Sequence, residues 1–259
     1  MKNGRYLLLF IALMVTPWTA AVAHFGMVIP SDNMIEAQDK RSVQITLSFS
    51  HPMEMVGMAL KKPRLFNVYT KGRTYRLRDQ LNPITVMGQP GWGMDYKIKR
   101  PGVFVFYMEP QPYWEPVEDS FIIHYTKTVV TAFGDDDGWD AELGVKTEIV
   151  PLSKPFALYA GNVFQGIVKF NGKPVPSASV EVEFYNRHRL AKAPTDYMIT
   201  QTIKADKNGV FTYAAPQTGW WGFAALSQAD FKMKNKQGQE KAVELGAVIW
   251  VHFEKWGEK

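Results

Sequence analysis

Apolar and polar residues alternate with a period of two through most of this chain, and glycine, proline, asparagine or aspartate breaks the alternation at short intervals. A helix needs its apolar side chains three and four positions apart, so this pattern points to half-buried strands. Val43, Ile45, Leu47 and Phe49 share one face of a stretch that ends at His51. The segments 65–69, 74–77, 94–98, 103–108 and 121–132 read in the same way, with turns at Asn82-Pro83, Pro90-Gly91 and Pro101-Gly102. The irregular stretch 133–155, with Pro151 and Pro155, reads as a linker. Beyond it, Asn171-Gly172 opens a hairpin turn. Val180, Val182 and Phe184 then alternate with Glu181, Glu183 and Tyr185, while Ala247, Ile249, Val251 and Phe253 line one face of a last strand. The expectation is an all-β chain with two β-sandwich domains, over residues 24–150 and 156–259.

The first 23 residues read differently. Lys2 and Arg5 precede an apolar run from Leu7 to Val15, Pro17 interrupts it, and Ala21 and Ala23 flank a cut before His24. That is the pattern of a cleavable secretory signal, and the apolar run is too short to span a bilayer. A periplasmic protein with no transmembrane segment in its mature form is therefore expected. Loss of Lys2 and Arg5 takes the net charge from +5 to +3, spread evenly, which argues against nucleic acid as a partner. The chain has no cysteine. Neither disulfides nor thiolate ligands contribute, so a metal site must draw on histidine, carboxylate, methionine, backbone or a terminal amine. That donor set favours nickel, cobalt, copper(II) or zinc.

Three histidines are candidate ligands. Cleavage after Ala23 makes His24 the first residue, and its α-amine and imidazole can then close one chelate ring. His51 ends the inward-facing stripe at the sandwich rim, where Pro52 turns the chain, well placed to meet His24. His124 lies within the strand 121–126 and is the third candidate. It shares a face with Ile122 and Thr126, opposite Phe121, Ile123 and Tyr125, and the pattern does not say which face is inward. Both His51 and His124 also fit the plainer role of hydrogen-bonded, partly buried imidazoles. His188, between Arg187 and Arg189, reads as solvated, and His252, near Trp250, as structural. Met53 and Met55 beside His51 read as gap-filling residues more readily than as a copper(I) patch, and Glu54 can orient a ring. Asp135, Asp136 and Asp137 are consecutive, where a calcium loop alternates its acids, so a solvated turn is expected. Trp92, Tyr113, Trp114, Trp220 and Trp221 can stack on sugars or cap a core. No nucleophile elbow, phosphate loop or zinc-protease helix is present in the sequence.

Two resemblances add to this reading. The run from Gly172 through Pro174, Val175, Ala178, Val180 and Val182, followed by Asp206, Gly209, Phe211 and Tyr213, resembles a prealbumin-like or carboxypeptidase-regulatory-like sandwich, which speaks to fold and not to chemistry. The stretches 23–31, 49–52, 112–116, 121–125 and 158–166 together resemble an exported bacterial family of unknown function, NikK- or NikM-like, associated with energy-coupling-factor transport of nickel or cobalt. That resemblance implies a non-enzymatic protein that binds nickel or cobalt outside the cytoplasmic membrane and presents it to the membrane component of an importer. It carries ligand roles onto His24, His51 and His124. Two other functions fit the residues. One is a copper-dependent polysaccharide monooxygenase-like enzyme, which also uses an N-terminal histidine brace and would need a tyrosine such as Tyr125 as axial group. The other is a metal-free module that binds protein or glycan.

Overall fold

A computed structural model describes residues 24–257, and the leader expected over residues 1–23 lies outside them. The described chain is built from strands, with only two short 3-10 turns at Arg78–Gln80 and Asp196–Met198. The expected all-β, sandwich-like class is what the architecture shows.

One large sheet runs through the whole molecule. Its strands lie in the order Gln201–Lys204, Ser179–Phe184, Gly219–Gln228, Val243–Glu254, Ser120–Ala132, Gly102–Glu109, Leu65–Thr70 and Arg73–Arg76. The junction is a parallel pairing of Val243–Glu254 with Ser120–Ala132, which sets Phe121 beside Val243 and Thr128 beside Trp250. The two sequence halves thus share a sheet, and the boundary expected between residues 150 and 156 lies alongside it. Residues 133–155 do not form a bare linker. Thr147–Pro151 is a fully buried strand paired with Val163–Phe170, because Ile149 packs in the core and Glu148 meets buried Lys127 at 2.9 Å.

Two smaller sheets cover opposite faces of the large one. Phe25–Pro30, Ser42–His51, Gln89–Lys97 and Asn82–Val86 form one, with Val56–Met58 attached to its second strand. Its inward residues Val43, Ile45, Leu47 and Phe49 pack on Phe66, Phe104, Phe106 and Ile122. Thr147–Pro151, Val163–Phe170, Lys173–Pro174 and Val210–Ala214 form the other, and Phe164 and Phe211 pack there against Val180, Val182, Phe223, Ile249 and Val251. The even-numbered residues of Val243–Glu254 therefore face the first small sheet, and the odd-numbered ones face the second.

The opening strand Phe25–Pro30 is buried on both sides. Phe25, Met27 and Ile29 pack on Trp220, Ala224, Val248 and Trp250. Close approach is possible because Gly26 has no side chain: a β-carbon there would lie 2.3 Å from Thr126 Oγ1 and 3.1 Å from His124 Cβ. This packing fixes where His24, immediately ahead of the strand, must sit.

Candidate metal centre

His24, His51 and His124 come from three separate strands or strand ends, and the layering brings two of their rings into contact. The centroids of His24 and His51 lie 4.7 Å apart. Antiparallel pairing of Phe25 with Ser50 explains this directly, since it places the residue before Phe25 beside the residue after Ser50. His24 also stacks on Phe49 at 5.7 Å, and Tyr113 stands 6.3 Å away. Its side chain keeps only 9% of its surface exposed.

The protonation of His24 follows from these neighbours. Burial pulls its pKa down to about 4, helped by the nearby His51 and His124 imidazoles and opposed by Glu115. The ring is therefore neutral at pH 7. Its Nε2 lies 3.0 Å from Glu115 Oε2, and a carboxylate can only accept, so Nε2 carries the proton. The lone pair then belongs to Nδ1, which faces Glu118 Oε1 at 4.0 Å. A carboxylate that holds the distal N–H of an imidazole is the standard device for orienting a metal-binding histidine. The other oxygen of Glu115 accepts the Val117 N–H at 3.0 Å, so the orienting group is itself anchored.

His124 is differently placed. Both faces of its strand are buried, because layers cover the large sheet on both sides, which is why alternation could not assign an inward face. Its Nδ1 accepts the Gly26 N–H at 3.3 Å, which leaves the ring N–H on Nε2. That atom is buried without a hydrogen-bond partner and lies 3.7 Å from Glu244 Oε1. The Nδ1 lone pair is engaged by the Gly26 N–H, which ties His124 to the opening strand. Tyr125 points away, into the neighbourhood of Glu109 and Arg64, where burial pushes its phenol up to about 12. His252 pairs with Glu254 at 2.8 Å and packs edge-on against Trp220.

Room for the His124 ring comes from Gly246. A β-carbon at 246 would lie 2.4 Å from His124 Cδ2 and 2.7 Å from Nε2. Both residues are enclosed, so Gly246→Ala should cost about 1–3 kcal/mol of stability through overpacking. Thermal unfolding of Gly246→Ala alone and combined with His124→Ala checks this, the double variant recovering part of the loss.

Three carboxyl groups stand beside the histidines, Glu115 and Glu118 at His24 and Glu244 at His124, with Glu181 near Glu118 and Glu244, and none of the four was expected as a site residue. They come from three separate stretches of the chain, around residues 115–118, 181 and 244, and only the fold collects them. Burial, then Glu244 and Glu115, push the Glu118 carboxyl up; burial, then Glu244 and Glu118, push Glu181 up to about 7. The region thus gathers carboxyl groups beside the neutral His24 imidazole, an arrangement that favours a cation. Among the described residues, no group of three or more histidine, cysteine, aspartate or glutamate side chains converges closely enough to hold a metal by itself.

Behind this region lies Glu183, fully buried, which accepts the Met53 N–H at 3.3 Å and the Thr200 hydroxyl. Burial pushes its carboxyl up to about 8 against those two hydrogen bonds, with Glu181 and Glu54 adding to the rise. From about pH 4.5 to about 8 the folded protein keeps a proton that the unfolded chain has lost, so rising pH destabilises the fold. Glu181 acts in the same sense. His24 acts in the opposite sense between its folded pKa of about 4 and the ordinary 6.5. The difference between wild type and Glu183→Gln isolates the Glu183 effect: the stability of the variant relative to wild type should rise as pH goes from 6 to 8, by up to about 1.4 kcal/mol per unit. Chemical denaturation at each pH measures it.

Residues 21–229 match the family model described as Domain of unknown function (DUF4198). The chain belongs to that family. No curated protein matches it. Among solved structures, the D0-D1 domain of Intimin is 13% identical, with 90% of this chain and 100% of that one covered and a TM-score of 0.24. A putative carbohydrate binding protein from Bacteroides uniformis is 9% identical over 86% of this chain and 96% of that one, at a TM-score of 0.24. The adhesin InvE of Yersinia pseudotuberculosis is 10% identical over 86% and 58%, at 0.21. No helix of this DUF4198 chain, among the described residues, is long and apolar enough to cross a membrane.

Proposed function

We propose that the mature protein is a periplasmic carrier of a divalent transition metal, with nickel or cobalt as cargo, which it presents to the membrane component of an importer. One observation carries this reading: Glu115 holds the Nε2–H of a neutral His24, leaving Nδ1 turned toward Glu118 and beside the His51 ring. Cleavage after Ala23 would add the α-amine of the same residue and complete a chelate that the side chains alone do not offer. His24 and His51 are the proposed ligands, Glu118 a candidate oxygen donor, and Glu115 and His124 the positioning groups. Nitrogen and oxygen donors without thiolate suit nickel, cobalt, copper(II) and zinc. Because the His24 ring is already neutral at pH 7, the proton released on binding comes from the amine, which titrates near 7.7–8. Nickel affinity should therefore fall on mild acidification from pH 8.

Calorimetric titration of the mature protein with Ni(II), Co(II), Cu(II) and Zn(II) tests the reading. It expects one ion per chain and loss of that ion in His51→Ala. Failure to retain any of the four would overturn it and favour a protein- or glycan-binding module. Reductant-driven oxidation of chitin or cellulose by the copper-loaded protein would replace the carrier with an oxidising enzyme built on the same histidines.

A further inference from the structure

A cavity of about 300 Å³ is lined in part by Phe49 and Tyr113, the aromatic rings that also stand beside His24. Its apolar walls are Phe49, Leu60, Met108, Trp114 and Ile122. Phe49 belongs to Ser42–His51, Met108 to Gly102–Glu109, Trp114 to Tyr113–Glu115 and Ile122 to Ser120–Ala132. Four strands from two sheets therefore define its shape, as expected of a pre-formed ligand site. The charged residues that line it are Lys61 and Lys236, and no carboxylate does. These two lysines come from distant places, the segment after Val56–Met58 and the turn of the Met233–Lys234 and Glu240–Lys241 hairpin.

This lining contrasts with the acidic region one ring away. There Glu115 is turned to His24 and to the Val117 N–H, so it does not face the cavity. A cationic ligand would meet two ammonium groups in the cavity and no counter-charge. Gln111, Tyr113 and His124 also line it, but the His124 Nδ1 is taken by the Gly26 N–H, so a sugar would find few free partners for its many hydroxyls. The lining fits a compact apolar body that carries one negative charge.

We propose that this cavity binds a small organic anion of that class, such as an aromatic or short-chain carboxylate. The inference stands on the cavity and needs no bound metal, although Phe49, Tyr113 and His124 belong both to its lining and to the surroundings of His24.

The test uses the mature protein stripped of metal with EDTA and titrated with benzoate, benzyl alcohol and benzylammonium, three probes of one shape and three charges. Benzoate should bind about fivefold or more tighter than benzyl alcohol, the scale of one or two exposed charge pairs, and benzylammonium should bind weakest. Ala59→Trp fills the mouth from an exposed position outside the core and should abolish benzoate binding. The pair Lys61→Gln and Lys236→Gln should make benzoate and benzyl alcohol equivalent. Equal binding of benzoate and benzyl alcohol by wild type, unchanged benzoate binding in Ala59→Trp, or no binding at millimolar benzoate would each overturn the proposal. None of these outcomes bears on the nickel titration, and a chain that binds no nickel can still bind benzoate.

Discussion

A chain carrying one extra residue ahead of His24 is expected to bind nickel at least about 100-fold more weakly than a chain beginning at His24, a larger loss than the roughly 10- to 100-fold that removal of an orienting carboxylate such as Glu115 brings. The extension changes no side chain. It converts the α-amine into an amide, which has no lone pair to offer a metal at neutral pH and cannot close the ring with Nδ1. Acetylation of the amine should act like the extension, and Glu115→Gln should give the smaller loss. Competition titration against a chelator of known affinity ranks the four proteins. Equal affinities would dismiss the terminal amine as a ligand and leave the side chains to account for any binding.

Trp250→Ala is expected to lower stability by about 3–5 kcal/mol, the usual cost of emptying a large buried aromatic site. Trp250 is fully enclosed, meets Phe25 edge-on at 5.8 Å and donates its indole N–H to the Gly26 carbonyl at 2.8 Å. It sits on the closing strand yet pins the opening one, at a residue 224 positions away in sequence. Loss of this pin frees the segment that positions His24. Nickel affinity should therefore fall together with an unfolding midpoint lowered by roughly 10 °C. Trp250→Phe, which keeps most of the packing and loses the hydrogen bond, should give a smaller drop in both. A Trp250→Ala protein with an unchanged midpoint would show that the opening strand is held by other contacts.

The strands were legible because burial on one side writes itself into the sequence at every second position. Val43, Ile45, Leu47 and Phe49 face the core as their alternation suggests, and His51 closes that stripe. The shared sheet was not legible. A parallel pairing between Ser120–Ala132 and Val243–Glu254 leaves no local mark, since the two strands meet only after more than a hundred residues of intervening chain have folded. Where layers cover both faces, as along His124, alternation disappears and with it any sense of direction. Thr147–Pro151 hid for a related reason: its terminal proline and its Glu148, which pairs with the buried Lys127 of Ser120–Ala132, look like surface chain until the partner strand is in place. At the site, histidine is rare enough in this chain to stand out, so His24 and His51 drew notice. Glutamate is common, and nothing local separates Glu115, Glu118 or Glu244 from a solvated carboxylate.

Anomalous diffraction from crystals of the mature protein grown with cobalt, recorded at the metal edge, tests the central claim most directly. The account predicts one strong peak per chain, about 2.0–2.2 Å from the His24 amine and Nδ1 and within ligand distance of His51, with Glu115 still on the far nitrogen of His24. A peak at His188 or His252, or none near His24 at full cobalt occupancy, would contradict it.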